Sequence, residues 1–242
     1  KEDVAVIMST VPAAAGAVFT QNKMCAAPVI VSREAAKQPY AQAIVVNSGC
    51  ANACTGEKGL ADAREMASFT AGLLDIDEKG VYVCSTGVIG HFLPMDKVRT
   101  GIADAVDQMD ENEGESAALA IQTTDTFVKK IAYEFELGGK KARIAGIAKG
   151  AGMIHPNMAT MLTFITTDAA IAPDVLKRTV KAVADKSFNM VVVDGDTSTN
   201  DSMIVLANGL AENEIILSEE HPDYPVFFEA FLIPLYLIIG VW

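Results

Sequence analysis

The sequence predicts an α/β fold of the α+β or layered kind, in which strands and helices occur in clusters. Short apolar runs, such as residues 43–47 and 81–84, are typical of strands that are covered on both faces. Residues 57–74 carry apolar side chains at helical spacing, which predicts an amphipathic helix. The elements do not follow strict strand–helix alternation, which indicates an α+β or layered architecture. The 242 residues suffice for one large domain or two small ones.

The remaining elements follow from local patterns along the chain. Proline near a helix start supports helices at residues 94–108 and 174–187. Alternating apolar residues on both sides of Gly138 and Gly139 predict a hairpin over residues 130–148. Apolar runs predict further strands at residues 4–8, 16–20, 28–31 and 161–165.

Composition limits the classes of partner. The formal net charge is −12, and nucleic acid requires a basic surface, so we expect no nucleic-acid partner. The longest apolar stretch, residues 231–242, is shorter than the roughly 20 residues that a membrane-spanning helix needs, so we expect no membrane partner. The four cysteines form no C-x-x-C pair and predict reduced thiols in a cytoplasmic protein, without a metal site.

The most informative segment is residues 149–162, a glycine-rich approach to an apolar run. Within it a small residue, Ala159, precedes Thr160, and from the residues alone Thr160 is most simply an ordinary threonine at the start of a strand. The nearby run from Asp194 to Asp201 lacks the glycine and the glutamate of a calcium-binding loop. It is better explained as a buried, hydrogen-bonded turn that supports a site.

Several blocks of the chain, in the same order, resemble the ornithine acetyltransferase (glutamate N-acetyltransferase) family. Singly they are weak signals, but together they are specific, and the resemblance covers about residues 1–230. The blocks are residues 22–32, 43–56, 85–90, 123–127, 149–162 and 194–201.

The resemblance implies a self-cleaving enzyme with a layered fold similar to the N-terminal-nucleophile hydrolases. Cleavage between Ala159 and Thr160 would divide the chain into an α-chain part, 1–159, and the start of a β chain, 160–242, with an atypical tail from about residue 231. Thr160 would become the nucleophile, and its freed α-amine, with a pKa of about 8, would serve as its base. Thr86 and Gly87 resemble the family's oxyanion hole, and Thr123 and Lys149 resemble substrate-binding residues.

The implied function is a ping-pong acetyl transfer in arginine biosynthesis. Thr160 would take acetyl from N2-acetylornithine and pass it to glutamate, without a cofactor, although acetyl-CoA is a co-substrate of some members. Members are heterotetramers of two cleaved pairs. Two alternatives stay open: a self-cleaving amidohydrolase or aminopeptidase that uses water as the acceptor, and an inactive, truncated remnant.

Overall fold

The computed structural model describes residues 3–150, 161–187, 189 and 196–239, apart from the side chains of residues 234 and 237–239. Ala159 and Thr160 therefore lie outside the described residues. The strands are β1 (Val4–Phe19), β2 (Tyr40–Asn47), β3 (Val81–Ser85), β4 (Lys129–Leu137), β5 (Lys140–Lys149), β6 (Leu162–Thr167) and β7 (Ser202–Ala207). The helices are α1 (Ala27–Ala35), α2 (Gly56–Leu74), α3 (Met95–Asp107), α4 (Gly114–Ala120), α5 (Pro173–Lys186) and α6 (Tyr224–Ile239).

All these strands belong to one sheet with the order β3-β2-β1-β7-β6-β5-β4. The pairs β2–β3 and β6–β7 are parallel, and the other neighbours are antiparallel. The long strand β1 is shared, since its first part pairs with β2 and its last part with β7. The chain therefore builds two half-sheets that are joined through β1.

The two half-sheets face each other because β1 is irregular in its middle. Its register against β2 shifts between Met8 and Ala13, and Pro12 in this interval has no N–H to donate to a ladder. Buried side chains of β1, β2 and β3 form one cluster with those of β6 and β7. In a flat sheet, β3 and β6 would lie roughly 19 Å apart, so the sheet must fold back on itself.

Helices cover the outer faces of this folded sheet. The helices α1, α2 and α3 share a core cluster with β2 and β3, while α5 and α6 share another with β4 to β7. Two proline positions explain helix starts, because Pro28 and Pro173 lie in the first turns of α1 and α5, where no N–H is needed. The predicted mixed α/β fold, with sheet layers between helices, is confirmed.

Several elements differ from the sequence prediction. The predicted strand at residues 28–31 is wrong, because this segment is part of α1. Its apolar run resembled a strand, but Val29 and Val31 are buried as part of a helix that packs against α2 and β3. The two predicted strands at 4–8 and 16–20 are parts of the single strand β1. The long helix and the hairpin are confirmed as α2 and the β4–β5 pair.

The described part of the apolar C-terminal stretch, residues 231–239, lies in α6. Phe227, Phe231 and Leu235 are buried in the cluster between α6, α5 and the sheet, and the Tyr133 hydroxyl donates to the Ala230 carbonyl. Among the residues that the structure describes, we find no helix of sufficient length and apolarity to span a bilayer.

Ser32 on α1 provides a hydrogen-bond partner for backbone groups of β3, which lies at the edge of the sheet. Its hydroxyl donates to the Val83 carbonyl at 2.6 Å and accepts from the Val83 N–H at 2.8 Å. The Ser32 side chain is buried, so water does not replace it.

We expect Ser32→Ala to lower the free energy of unfolding by roughly 2–4 kcal/mol, because two buried backbone groups lose their partner. Urea denaturation of both proteins measures the change. Ser68→Ala, at an exposed position on α2, serves as the control and should change the value by less than about 0.5 kcal/mol. Equal midpoints for the two variants would contradict this account of the β3 edge.

Candidate active site

The end of β3 leads into the dipeptide Thr86–Gly87. The Thr86 N–H donates to the Asn47 carbonyl at 3.0 Å, so the hydroxyl is the one donor of Thr86 that remains for other partners. Gly87 has φ +126°, and a Cβ there would lie 2.3 Å from the Gly49 carbonyl carbon. This position therefore requires glycine, both for its backbone conformation and for its close approach to Gly49.

Lys149, the last residue of β5, reaches this dipeptide. Its Nζ donates to the Thr86 Oγ1, although β3 and β5 would lie roughly 24 Å apart in a flat sheet. The side chain is buried. Burial lowers the pKa of Lys149 to about 8, against the opposing influence of Asp125 and Asp201. The fold of the sheet thus creates a polar centre between its two halves.

Asp125 and Lys129 form a buried ion pair next to Lys149. Lys129 Nζ lies 2.6 Å from Asp125 Oδ1, and both side chains are almost fully buried. The pair holds both backbone groups of Gly150, since Asp125 Oδ1 accepts its N–H at 2.8 Å and Lys129 Nζ donates to its carbonyl at 3.0 Å. Hydrogen bonds to Lys129 and to the Gly150 N–H outweigh desolvation and lower the pKa of Asp125.

Asp201 is a second buried carboxylate at this centre. Its Oδ1 accepts the Met161 N–H at 2.9 Å, and 1% of the residue is exposed. Burial raises the pKa of Asp201 to about 8, although Met161, Ser198 and Lys149 act in the opposite direction. Asp201 immediately precedes β7, so the parallel pair β6–β7 places it beside the start of β6.

The turn that contains Asp201 is hydrogen-bonded to the other half of the sheet. The Asn200 amide donates to the Ala51 carbonyl at 2.7 Å and to the Ser85 carbonyl at 2.8 Å. The Thr20 hydroxyl donates to the Ser198 carbonyl at 2.7 Å. For its described part, residues 196–201, the expected hydrogen-bonded turn is confirmed, with Ser198, Asn200 and Asp201 buried.

The structure brings together some of the residues that the sequence suggested. Thr86, Gly87 and Lys149 meet at one centre, whereas Thr123 is exposed on the loop between α4 and β4, two residues before Asp125. Ala159 and Thr160 lie outside the described residues. The sequence did not single out Asp125, Lys129 and Asp201. Asp125 lies within the resembling block 123–127 and Asp201 ends the run 194–201, but neither was given a role of its own, and Lys129 lies outside every block.

A groove of about 1400 Å³ lies away from this centre. Ile147, Phe164 and Leu206 contribute to its floor, and α3 forms one wall. It reaches Arg143 and Asn208, at the ends of β5 and β7 that are remote from Lys149 and Asp201. Over the described residues, no three His, Cys, Asp or Glu side chains are grouped closely enough to hold a metal ion.

Comparison with known sequences decides the family. The model of the ArgJ family matches residues 1–233. The chain belongs to the ArgJ family. It is 51% identical over 230 residues to the arginine biosynthesis bifunctional protein ArgJ of Caldanaerobacter subterraneus subsp. tengcongensis, covering 95% of this chain and 57% of that protein. The corresponding protein of Bacillus subtilis is 50% identical over 234 residues, which cover 96% of this chain and 57% of its own length. The chain thus spans somewhat more than half the length of these ArgJ relatives.

Solved structures agree with the ArgJ assignment. The ArgJ protein of Bacillus halodurans is 47% identical, with a TM-score of 0.61 over 65% of this chain and 83% of that one. An ornithine acetyltransferase of Mycobacterium tuberculosis, complexed with ornithine, is 36% identical, with a TM-score of 0.57 over 66% and 84%. An aminopeptidase of Ochrobactrum anthropi with a variant Ntn-hydrolase fold has a TM-score of 0.53 at 12% identity, covering 100% of this chain and 74% of that one, which shows a shared fold alone.

The raised pKa of Asp201 predicts a pH-dependent stability. A carboxyl that holds its proton to about pH 8 when folded, and to about pH 4 when unfolded, stabilises the fold most at low pH. This contribution declines as the pH rises from about 4 to 8. Asp201→Asn removes it, so between pH 5 and 8 the variant should lose less stability than the wild type.

Urea midpoints at pH 5, 6, 7 and 8 test this expectation. The lowered pKa of Lys149, about 8, affects stability mainly above this window, so the difference in slope reports Asp201. Parallel pH profiles for the two proteins would show that Asp201 does not bind a proton on folding.

Proposed function

We propose that this chain, as part of a protein of its relatives' length, is a self-cleaving acetyltransferase of arginine biosynthesis. The observation that carries the proposal is the contact between the Lys149 ammonium and the Thr86 hydroxyl. It places hydrogen-bond donors where the two half-sheets meet, at the end of the strand that leads to Thr160. Membership of the ArgJ family and the likeness to a solved ornithine acetyltransferase support it.

Self-cleavage would begin with attack of the Thr160 hydroxyl on the Ala159 carbonyl carbon. The carbon–nitrogen bond breaks, the nitrogen gains a proton, and an ester joins Ala159 to the Thr160 oxygen. Water then hydrolyses this ester, which leaves a carboxylate on Ala159 and a free hydroxyl and α-amine on Thr160. The amine is partly neutral near pH 8 and can accept the hydroxyl proton in later attacks.

Acetyl transfer would use the same nucleophile twice. Thr160 attacks the acetyl carbonyl of N2-acetylornithine, ornithine leaves with the proton, and the acetyl group remains on Thr160. The glutamate amine then attacks this ester, the bond between the acetyl carbon and the Thr160 oxygen breaks, that oxygen regains a proton, and N-acetylglutamate leaves. We assign Thr123 and Lys149 to substrate binding. Acetyl-CoA as an alternative acetyl donor and a cytoplasmic location are further parts of the proposal.

Each attack generates an oxyanion, for which we assign the Thr86 hydroxyl and the Gly87 N–H as donors. The Thr86 N–H is engaged by Asn47, so Thr86 would act through its side chain. Because the Lys149 ammonium donates to the Thr86 oxygen, the hydroxyl proton is left to point at the oxyanion. A donor that is itself polarised by a cation is stronger than a neutral hydroxyl alone.

The two products of cleavage, 1–159 and 160 onward, would stay together. The second fragment contributes β6 and β7, which lie between β5 and β1 of the first fragment. Separation would break two antiparallel ladders and the core clusters beneath them. We therefore propose that a cleaved pair is the unit of assembly. From the resemblance to the family, we further propose that two such pairs form a heterotetramer.

We expect the protein to be recovered as two fragments, the second of which begins at Thr160. We also expect Thr160 to take up an acetyl group when the cleaved protein is mixed with N2-acetylornithine. N2-acetylornithine alone should release about one ornithine per site, and intact mass should show the acetyl on the second fragment until glutamate removes it. Thr160→Ala should remain a single chain, whereas the exposed Thr100→Ala should be cut normally. Continuous turnover without glutamate would indicate a hydrolase instead, and absence of both cleavage and adduct would indicate an inactive protein.

A second expectation concerns the oxyanion. Thr86→Ala should lower kcat about 100-fold with little change in KM, because the hydrogen bond strengthens as charge develops. Thr86→Ser keeps the hydroxyl and should retain most of the activity. Steady-state kinetics on the cleaved enzymes compare them, and a Thr86→Ala enzyme with the kcat of the wild type would remove Thr86 from the oxyanion hole.

A further inference from the structure

Two buried carboxylates hold the chain on either side of residues 151–160. Before this segment, the Asp125–Lys129 pair engages both the N–H and the carbonyl of Gly150. After it, Asp201 engages the N–H of Met161. Neither arrangement is a helix cap, because Gly150 follows β5 and Met161 precedes β6. Neither is a surface ion pair, because these three side chains are buried.

We propose that Asp125, Lys129 and Asp201 are positioning residues for self-cleavage, which fix the backbone at the two ends of residues 151–160, the segment that contains the Ala159–Thr160 bond. The inference rests on the proposed function, since it concerns the same bond. It assigns a role to three residues that the oxyanion and nucleophile chemistry does not use.

Asp201 acts closest to the bond. The N–H of Met161 belongs to the peptide unit that begins at the Thr160 carbonyl carbon, so the hydrogen bond to Asp201 acts on the peptide unit directly after the nucleophile. One carboxylate oxygen makes this bond, while Oδ2 is buried and accepts no hydrogen bond from the described residues. Burying a carboxyl group with one oxygen unpaired is costly. Such a cost is typical of a functional position.

The Asp125–Lys129 pair restrains the other side. Gly150 has φ +152°, a conformation that other residues rarely adopt. Its N–H and carbonyl are held by opposite charges, so the peptide planes on both sides of its Cα are restrained. Lys129 also lies 4.6 Å from the centre of the Phe127 ring, which further limits its movement.

The chain supplies matched carboxylates that are remote from this bond. Asp62 forms an ion pair with Lys58 at the same four-residue spacing, on α2, where 54% of the lysine side chain is exposed. Asp168 accepts the Arg143 N–H at 2.6 Å, but at the opposite ends of β5 and β6. Equivalent substitutions at these sites separate a general loss of stability from a loss of positioning.

The test measures the rate of self-cleavage in newly synthesised protein of the relatives' length, on the folded fraction. Asp201→Ala should slow cleavage about 10- to 100-fold, the value of one buried hydrogen bond whose donor is left without a partner. Asp201→Asn should remain within about 5-fold of the wild type, because its amide oxygen can still accept the Met161 N–H. Asp168→Ala should cleave like the wild type.

The other side is tested with a charge-free replacement. The double variant Asp125→Asn with Lys129→Met removes the buried pair without leaving one charge unpartnered. It should slow cleavage about 10-fold, whereas Lys58→Met with Asp62→Asn should not. This comparison decides the matter if Asp201→Ala does not fold.

Each result has one meaning. A folded Asp201→Ala protein that cleaves at the wild-type rate overturns the inference, as does an Asp201→Asn protein as slow as Asp201→Ala. If Asp201→Ala does not fold, equal rates of self-cleavage in the two double variants overturn the inference. A wild-type protein that never cleaves overturns the proposed function and the inference together. Failure of the inference alone is recognised by a wild-type protein that cleaves while the variants cleave equally fast.

Discussion

The irregular middle of β1 is the constraint on which the arrangement of the site depends. One strand belongs to both half-sheets, and its ladder is interrupted between Met8 and Ala13. Small buried residues on either side of Ala14 allow the halves to approach closely. Because the halves face each other, the ends of β3 and β5 meet although five inter-strand steps separate them. A mutation that straightened β1 would therefore disrupt the Lys149–Thr86 contact without touching either residue.

Buried charge is the second determinant of this centre. The chain as a whole is strongly acidic. Between the half-sheets, however, two lysines and two aspartates lie together with their side chains buried: Lys129, Lys149, Asp125 and Asp201. Their opposite signs offset part of the desolvation cost. The attraction between these charges does not fully offset the desolvation cost, since burial still raises the pKa of Asp201 and lowers that of Lys149. Local donors, and not the overall charge, therefore prepare the site for developing negative charge.

Local sequence patterns predicted those parts of the fold that local physics determines. The helical spacing of residues 57–74 and the turn at Gly138 and Gly139 gave nearly correct elements. Packing decided the rest: α1 resembled a strand because its buried face carries valines, and no local signal indicated that β1 would join two half-sheets. Thr86, Gly87 and Lys149 came from a family resemblance. For Asp201 the sequence predicted only a turn that supports a site, because an aspartate that binds a distant backbone N–H is indistinguishable in sequence from one that binds within its own turn.

Self-cleavage and acetyl transfer make different demands on one centre. Both reactions of the proposed mechanism pass through an oxyanion, so both depend on the donors around Thr86. Only the first requires the peptide bond before Thr160 to be held at a fixed angle to the hydroxyl that attacks it, because the later substrates bring their own carbonyl. Residues that restrain backbone, such as Asp201, should therefore matter most before the cut. Residues that stabilise charge should matter equally before and after it.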